Sequence, residues 1–363
     1  MNCPLCNKAE QSVIYTASDV PAFQNKVYED MASLEASPSF SVELLRCHSC
    51  GFAWNSKFQS EAMEYDDSYQ NEQGHSPSFR RHLERTLDLV ASIVRPGQRI
   101  IEVGCGKGVF LAMMRNAGFS VTGYDPSHEA GDPDVVKTYF DKSLEVDPGE
   151  LVVLRHTLEH VPAPLDFLSA ISEANGRQGR ILIEVPRFEW ILENKAFWDI
   201  FHEHCNYFTE QSLANLFENA EVIPCFEGQY MWVIADLKDF KGTSVTGGLD
   251  LPRVDDRLFA TEIGRFKEFV SKHRGCWVWG AGAKGVAFVN QVDPDARFVQ
   301  GLIDINPVKQ GRFVAKTGHR IFSPEEFRNS EAGEIIIMND NYKDEIQGMC
   351  AGSGSTLLTM GEI

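Results

Sequence analysis

The sequence of 363 residues is short of basic side chains: it has 34 Lys and Arg but 52 Asp and Glu, a formal net charge of −18. Such an acidic balance argues against general nucleic-acid binding. The chain also lacks any apolar run near the roughly 20 residues of a membrane-spanning helix. Its first residues lack the basic and apolar regions of a secretion signal. We therefore expect a cytoplasmic protein that binds neither nucleic acid nor membrane.

Nine cysteines in a chain without a secretion signal favour free thiols and metal ligands over disulfides. Four of them form two C-x-x-C pairs, Cys3 with Cys6 and Cys47 with Cys50. Two such pairs supply the four thiolates of a closed, tetrahedral, structural zinc site. A redox dithiol is the alternative, although neither pair has the βαβ surroundings of that motif. The spacing therefore predicts a zinc-binding module at the N-terminus.

A glycine-rich turn lies between a predicted strand and a predicted helix. The strand at 100–103 leads into the turn at 104–108, and an apolar helix begins at Val109. Glycines let the backbone approach a ligand closely, and the first N–H groups of a helix have no partners within it. A second strand from Ser120 ends in Asp125, about 20 residues on, where a carboxylate can bind a ribose. The pattern predicts a Rossmann-like cofactor site.

The acid before the first glycine separates two cofactor classes that use this layout. In dinucleotide-binding folds the helix start faces a pyrophosphate, which is unfavourable beside the carboxylate of Glu102. In S-adenosylmethionine (SAM) enzymes the turn contacts the amino acid part of the cofactor, and Glu102 would lie near its ammonium group. The run 102–108 resembles the first motif of class I SAM-dependent methyltransferases, E/D-x-G-x-G-x-G. That resemblance favours SAM over NAD; a turn that binds nothing is the remaining alternative.

The rest of the chain predicts an α/β fold in several units. Strands alternate with helices after the first turn, which favours a mostly parallel sheet. The stretch 239–256 is polar and rich in glycine, as a linker would be, and the order strand, glycine turn, helix returns at 276–285. We expect an N-terminal zinc-binding module (1–75), a central class I SAM methyltransferase domain of Rossmann-like fold (76–240) and a C-terminal Rossmann-like domain (241–363).

The second glycine turn, 280–285, has two interpretations. It either binds a nucleotide, such as part of a sugar-nucleotide substrate, or belongs to a domain that kept the fold without a ligand. The second interpretation is favoured for a cofactor. In both cases we expect this domain to line the acceptor site, with Lys284 as a candidate contact for an anionic group.

Titratable and aromatic residues are concentrated in the segment 197–209, which follows a predicted strand end, where ligands of open α/β sheets bind. Methyl transfer to a carbon beside a ketone needs a base, and histidine is suited to that near neutral pH. If the segment is extended, His202 and His204 share one face and Glu203 points away, whereas a turn would bring Glu203 into the site. A polar loop packed on the core is one alternative. A histidine metal pair is another, but no third ligand is evident.

Together these motifs resemble the three-domain SAM-dependent C-methyltransferases that act on deoxysugar nucleotides. The likeness is carried by both cysteine pairs and by the runs 102–108, 158–160, 183–186, 202–204, 207–208, 280–285 and 304–311. In that family the acceptor is a 4-keto sugar on a nucleoside diphosphate, and its carbon 3 is methylated. The resemblance implies His204 as the general base with Glu203 beside it. The SAM contacts that it implies are Glu102, Gly104, Gly106, Gly108, Asp125, Pro126, His156 and Leu158.

The sequence departs from the family pattern on the acceptor side. A tyrosine that is common two residues before the Glu is replaced by Phe201, and the stretches 69–73 and 227–232 also differ from the family. The resemblance therefore implies the use of SAM more firmly than it implies the identity of the acceptor. The acceptor contacts that we predict are Tyr65, Tyr69, His202, Tyr207 and Lys284.

Three other functions stay open at this stage. One is SAM-dependent methylation of O, N or C on a different small molecule, and another is a non-catalytic SAM-binding or scaffold protein. The third, least favoured, is a dehydrogenase that uses the second glycine turn. The oligomeric state is also open, and a monomer is compatible with the sequence.

Overall fold

The computed structural model of the chain describes residues 2–63, 69–70, 74–128, 131–243, 253–330 and 332–363. Within these residues the strands form sheets of four, seven and five strands and a two-stranded ribbon. The predicted α/β class and the order of a cysteine-bearing module, a central sheet domain and a C-terminal sheet domain are confirmed. The domain boundaries stay predictions, and much of the predicted linker lies outside the described residues.

The N-terminal module is built on an antiparallel sheet. Its elements are β1 (Gln11–Pro21), β2 (Val27–Tyr28), α1 (Met31–Glu35), β3 (Ser39–Cys47) and β4 (Ala53–Asn55). β1 and β3 pair from Gln11 opposite Cys47 to Pro21 opposite Ser39, with two register shifts. After Cys50, Gly51 has φ +78, a left-handed conformation that glycine adopts without steric cost. That conformation forms the tight turn that closes the second cysteine pair.

The central domain is a doubly wound sheet. Its elements are α2 (Pro77–Ile93), β5 (Arg99–Val103), α3 (Val109–Asn116), β6 (Ser120–Tyr124), β7 (Val135–Val136), β8 (Leu151–Arg155), α4 (Pro164–Ala174), β9 (Arg180–Pro186), α5 (Phe188–Glu193), β10 (Asn206–Tyr207), α6 (Glu210–Ala214), β11 (Ala220–Cys225) and β12 (Tyr230–Asp236). The sheet order is β11-β12-β9-β8-β5-β6-β7, with β12 antiparallel to both neighbours. The order reverses between β5 and β8, and open α/β sheets bind ligands at such a reversal.

Two predicted helices show how local signals worked. The spacing of apolar residues predicts a helix from about 78 to 94, and the structure has α2 there; it begins after Ser76, whose hydroxyl accepts the N–H of Phe79. The sequence also predicts a helix over 211–219, but α6 is shorter and ends at Ala214. Phe217 instead pairs with Phe240 in a β-bridge. A pairing with residues about twenty positions away replaces the last turns of that helix.

The C-terminal domain is a second doubly wound sheet. Its elements are α7 (Leu258–Lys272), β13 (Cys276–Trp279), α8 (Ala283–Val292), β14 (Val299–Ile303), β15 (Phe313–Val314), β16 (Ile321–Phe322), α9 (Pro324–Arg328), β17 (Glu334–Ile337), α10 (Lys343–Met349) and β18 (Thr356–Thr359). The order β16-β14-β13-β17-β18 is parallel throughout and reverses between β13 and β17. None of the helices in the described part of the chain is long and apolar enough to cross a membrane.

The three units share strands and packing. β10 extends the N-terminal sheet by pairing with β4, and β15 pairs with β2. The first contact involves a stretch that we call the bridging segment, residues 188–208, and the second joins the N-terminal module directly to the C-terminal domain. Within that segment the 3-10 helix Phe197–Asp199 places Phe197 against Phe266 and Phe288, with ring centroids 5.9 and 6.0 Å apart. A segment from the central domain therefore packs on the C-terminal helices and on the N-terminal sheet.

Candidate active site

The four cysteine side chains of the N-terminal module converge. Sγ of Cys3 lies 3.6 Å from Sγ of Cys50, and Sγ of Cys6 lies 3.5 Å from Sγ of Cys47. All four sulfur atoms lie within 4.8 Å of one another, and all four residues are buried. A disulfide would need a separation of about 2.05 Å, whereas thiolates about 2.3 Å from one tetrahedral zinc lie about 3.8 Å apart. The geometry therefore fits four ligands of one metal ion.

A cavity of about 350 Å³, the central cavity, opens at the carboxyl ends of β5, β6 and β8. Six of the eight predicted SAM contacts line it: Glu102, Gly104, Gly106, Asp125, Pro126 and His156. The other two do not. Gly108 is the N-cap of α3, with φ +77, and Leu158 is fully buried in the hydrophobic core.

Glu102 and Asp125 have different surroundings in this cavity. Glu102 is buried, and its Oε2 has no hydrogen-bond partner. Burial raises the pKa of Glu102 to about 8, although the charge of Arg155 opposes the shift. Asp125 accepts three hydrogen bonds, from the N–H of Gly106 at 2.8 Å and from the N–H and hydroxyl of Ser127 at 2.8 and 2.7 Å. A carboxylate offers about four acceptor positions, so Asp125 holds the turn and keeps one position for a ligand.

A second cavity of about 260 Å³, the interdomain cavity, lies where the carboxyl ends of the central and C-terminal sheets face each other. It is lined by the bridging segment, by the second glycine turn and by the ends of β13, β14 and β17. Tyr69, His156 and His160 line both cavities. The two cavities therefore adjoin at these three side chains.

His204 faces the interdomain cavity. Its ring centroid lies 4.1 Å from that of Phe201 and 4.8 Å from that of His160, and its Nδ1 is buried without a hydrogen-bond partner. Burial, together with the charges of His160, His156 and Lys284, holds the pKa of His204 well below its usual 6.5. The imidazole is therefore neutral near pH 7 and can accept a proton.

The chain turns at residues 202–203, so His202 and His204 do not share one face as they would in an extended segment. His202 is fully buried outside both cavities, with its ring 4.6 Å from the ring of Phe40. Burial lowers the pKa of His202 to about 4. The two histidines point into different surroundings, so they do not form a metal-binding pair.

Two further predicted site residues also lie away from the cavities. Glu203 is fully buried, and its Oε2 accepts the N–H of Gln24 at 2.7 Å. Burial raises the pKa of Glu203 to about 7. The hydroxyl of Tyr207 bonds the backbone of Phe201, at 3.2 Å from the nitrogen and 3.3 Å from the oxygen. Tyr69 and Lys284 do line the interdomain cavity, and Tyr65 lies outside the described residues.

A buried carboxylate that the sequence analysis left without a role lies beside the junction of the cavities. Glu184 in β9 accepts hydrogen bonds from Nε2 of His82 at 2.8 Å, Nε of Arg155 at 3.0 Å, Nε2 of His156 at 3.0 Å and Nε1 of Trp232 at 3.0 Å. Burial would raise its pKa, but the charge of Arg155 and the two histidine bonds hold that pKa well below 4.5. The sequence did offer a signal for Glu184, because it is an acid among the apolar residues in the middle of a predicted strand.

The C-terminal domain contributes two buried ammonium groups to the interdomain cavity. Lys284 forms an ion pair with Asp199. Lys309, which the sequence analysis missed, donates to the carbonyl of Ala281 at 3.1 Å and to Oδ1 of Asn25 at 3.2 Å. Burial lowers the pKa of both lysines. Neither Asn25 nor the carbonyl is charged, whereas the charges of Asp304 and Glu203 favour the protonated form of Lys309.

The doubly wound central sheet, its glycine turn after the first strand and the unpartnered acid before that turn define a class I methyltransferase domain. The family described as "Methyltransferase domain" matches residues 75–221, and the family described as "C-methyltransferase C-terminal domain" matches residues 263–354. The chain thus carries a methyltransferase domain followed by a C-methyltransferase C-terminal domain.

Curated relatives agree with the domain matches over part of the chain. C-methyltransferase NovU of Streptomyces niveus is 30% identical over 161 residues, which are 39% of this chain and 37% of that protein. The ubiquinone biosynthesis O-methyltransferase of Xanthomonas campestris pv. campestris (strain B100) is 33% identical over 104 residues, 23% of this chain and 41% of that protein. The matched stretch thus spans less than half the length of these relatives.

Solved structures show a weaker likeness. The 1,6-didemethyltoxoflavin-N1-methyltransferase of Burkholderia thailandensis is 16% identical over 42% of this chain and 76% of that chain, with a TM-score of 0.32. A SAM dependent methyltransferase from Archaeoglobus fulgidus is 18% identical over 43% of this chain and 93% of that chain, with a TM-score of 0.35. At these TM-scores the likeness carries no argument about function.

Proposed function

We propose that this protein transfers the methyl group of SAM to a carbon atom of a 4-keto-deoxysugar that is linked to a nucleoside diphosphate. The observation that carries this proposal is that the central and interdomain cavities adjoin at Tyr69, His156 and His160. A methyl donor in the first cavity and an acceptor in the second would meet there. The C-methyltransferase C-terminal domain, which supplies one wall of the interdomain cavity, supports transfer to carbon.

The central cavity fits SAM chemically. SAM supplies an electrophilic methyl group, and its ammonium group would pair with the buried, unpartnered Oε2 of Glu102. The remaining acceptor position of Asp125 suits a ribose hydroxyl.

His204 is the proposed general base. Its neutral imidazole faces the interdomain cavity and can take a proton from the carbon beside the acceptor's ketone. The electron pair of that C–H bond forms an enolate, whose carbon then bonds the methyl group while the C–S bond of SAM breaks. Its electron pair stays on sulfur, and the proton stays on His204 until it is lost to water.

Two lysines in the wall of the interdomain cavity support an anionic acceptor, although the net charge of the chain is negative. Lys284 and Lys309 both line the interdomain cavity, and both are buried. A buried ammonium group is stabilised by an anion such as a diphosphate.

Deuterium uptake from heavy water tests both the acceptor and the base. The protein is incubated without SAM with a panel of 4-keto-6-deoxy sugar nucleotides, and mass spectrometry follows exchange at carbon 3. We expect exchange with one member, and loss of that exchange in His204→Ala. His273→Ala removes an exposed imidazole in the C-terminal domain and serves as the control. Absence of methylated product from every member after SAM is added would reject the sugar acceptor.

We also propose that the four converging cysteines hold a structural zinc ion. Cys3, Cys6, Cys47 and Cys50 leave no coordination position open for a substrate. Metal analysis of the purified protein should find one zinc per chain, and Cys47→Ser should lower both the zinc content and Tm. Cys350→Ser removes a buried cysteine outside the cluster and should leave the zinc content unchanged. Full occupancy by another metal, or by none, would contradict the proposal.

A further inference from the structure

A buried row of alternating charges runs along the junction of the two cavities. It begins with Arg155 and Glu184, continues through His156 and ends at Glu159. Nε2 of His156 lies 3.0 Å from Oε1 of Glu184, and its Nδ1 lies 3.3 Å from Oε1 of Glu159. A neutral imidazole has only one N–H and would present a lone pair to one of these carboxylates. The ring is therefore doubly protonated and links the two acids.

The backbone and the local electrostatics agree with that arrangement. His156 has φ +48, a left-handed conformation that costs energy in a residue other than glycine. Burial lowers the pKa of His156, but the hydrogen bonds and charges of Glu159 and Glu184 more than offset it and raise that pKa to about 9. The position of the ring is thus held by its two partners.

The second oxygen of Glu159 has no such partner. Glu159 lies in the 3-10 helix Leu158–His160, is 1% exposed and lines the interdomain cavity. Its Oε2 is buried without a hydrogen bond. A buried acceptor left unsatisfied is destabilising, so this oxygen favours any state that offers it an N–H or O–H.

His204 is the side chain that can donate an N–H to this oxygen of Glu159. One polar side-chain atom each of Glu159, His160 and His204 lies within 4.8 Å of the others. Nδ1 of His160 donates to the carbonyl of Glu203 at 3.0 Å, and burial lowers the pKa of His160, so its Nε2 carries a lone pair. His204, in contrast, can carry its one N–H on the nitrogen that faces Glu159 and keep the lone pair of its other nitrogen for the substrate's proton.

We propose that Glu159 is the positioning carboxylate of His204: it selects the tautomer of the neutral ring and stabilises the protonated ring. This proposal rests on the proposed function of His204 as a base. The sequence neighbour Glu203 also has an unpartnered oxygen, Oε1, but it is less suited, because it lines neither cavity and it is Glu159 that lies with His204 and His160 in one cluster.

The charges around His204 make the role of Glu159 specific. His160, His156 and Lys284 all disfavour a protonated His204. Glu159 is the described acid whose polar atom lies within 4.8 Å of a ring nitrogen of His204. The interaction of this carboxylate with the N–H of His204 strengthens as the ring becomes positively charged, so it stabilises the transition state more than the ground state.

The first test uses nitrogen NMR of the histidine rings, with S-adenosylhomocysteine as the only added ligand. In the unaltered protein we expect a doubly protonated His156 and a single neutral tautomer of His204 at neutral pH. In Glu159→Gln, the pKa of His156 should fall by about one unit, and both tautomers of His204 should be populated, because an amide accepts or donates. Glu262→Gln, a buried carboxylate bonded to Arg265 in α7, should change neither ring.

The second test uses the methylation reaction. Glu159→Gln should lower kcat on the order of 10- to 100-fold with little change in KM for SAM. Loss of the negative charge lowers the pKa of His204, so the acid limb of the kcat/KM profile should move to lower pH. Glu159→Asp, which keeps the charge, should restore part of kcat and return the limb toward its original position.

The outcomes separate this proposal from the proposed function. A tautomer of His204 that does not respond to Glu159→Gln, or a fall in kcat without movement of the acid limb, would overturn the positioning role. If the unaltered protein methylates no keto sugar, the proposed acceptor fails, yet the NMR test needs no acceptor and still decides whether Glu159 selects the tautomer.

Discussion

The glycine-rich turns that follow β5 and β13 share one backbone device and differ in the charge that they present. In each, the carboxylate after the next strand accepts an N–H of the turn. Oδ2 of Asp125 accepts from Gly106 at 2.8 Å, and Oδ2 of Asp304 accepts from Ala281 at 2.8 Å. This hydrogen bond ties the second strand to the turn and holds the helix start at the sheet edge.

The two turns differ in the charged side chains that they offer to a ligand. The first turn follows the unpartnered carboxylate of Glu102, whereas the second lies beside the ammonium groups of Lys284 and Lys309. The first therefore suits a ligand with a cationic end, and the second suits an anionic ligand. The comparison shows that the fold positions a ligand, whereas a few side chains determine which ligand charge is favoured.

The largest expected effect is on packing around the second turn. A Cβ on Gly285 would lie 1.8 Å from the carbonyl oxygen of Gly280, a backbone atom that cannot rotate away. Gly285→Ala should therefore destabilise the C-terminal domain by about 3 kcal/mol, measured as a lower denaturation midpoint. Gly264→Ala is the matched control in α7, where an added Cβ has open space, and it should be neutral or slightly stabilising. Equal stability of the two variants would contradict this account of the turn.

The next largest effect concerns the ammonium group of SAM, the ligand proposed for the first turn. Glu102→Gln should weaken SAM binding about 100-fold, because it removes a buried charge-assisted hydrogen bond. Calorimetry of SAM and S-adenosylhomocysteine, which both carry the ammonium group, should show the same loss. Lys284→Met serves as the comparison at the second turn and should leave SAM affinity unchanged. An unaltered Kd in Glu102→Gln would remove the ammonium contact.

A smaller effect is expected for the anionic ligand of the second turn. Lys309→Met should weaken binding of a free nucleoside diphosphate about tenfold and leave the Kd of SAM unchanged. The change is measured by calorimetry with the diphosphate alone. If Lys309→Met instead weakened SAM binding, the division of charge between the two turns would be wrong.

The smallest effect is a pH dependence of SAM affinity. The pKa of Glu102 is raised to about 8 without ligand, and the ammonium group favours the charged carboxylate. SAM affinity should therefore rise about fivefold from pH 7 to pH 8, with proton release on binding. The same shift means that the unliganded folded state binds more protons than the unfolded state. The contribution of Glu102 to stability accordingly falls as pH rises from 4.5 to 8. Glu102→Gln should remove both dependences.

Short sequence patterns predicted the features of this protein that depend on residues close together in the chain. The cysteine pairs, both glycine turns and the helix after Ser76 depend on residues a few positions apart, and each is present in the structure. The shortened α6 was not predicted, and the turn at 202–203 was left open beside an extended conformation. Both depend on pairing with distant segments: Phe217 with Phe240, and β10 with β4.

The residues of the candidate active site also fall into a group that could be predicted from the sequence and a group that could not. Glu102, the turn glycines and Asp125 follow one strand end and its neighbour, so their meeting at one cavity could be predicted from the order of the strands. The partners of His204 could not. Glu159 comes from the end of β8, Lys284 from α8 and His204 from the bridging segment, and their meeting depends on how two domains face each other.

The sequence by itself determined the order of the three units, the two cysteine pairs and a glycine-rich turn with an acid beside it, because each is encoded by short spacing and backbone preference. Only the tertiary structure decided which acid faces His204, where His202 points and that Lys309 enters the interdomain cavity. These are outcomes of packing between segments far apart in the chain, and the burial that follows changes the proton affinity of Glu102, His156 and His204.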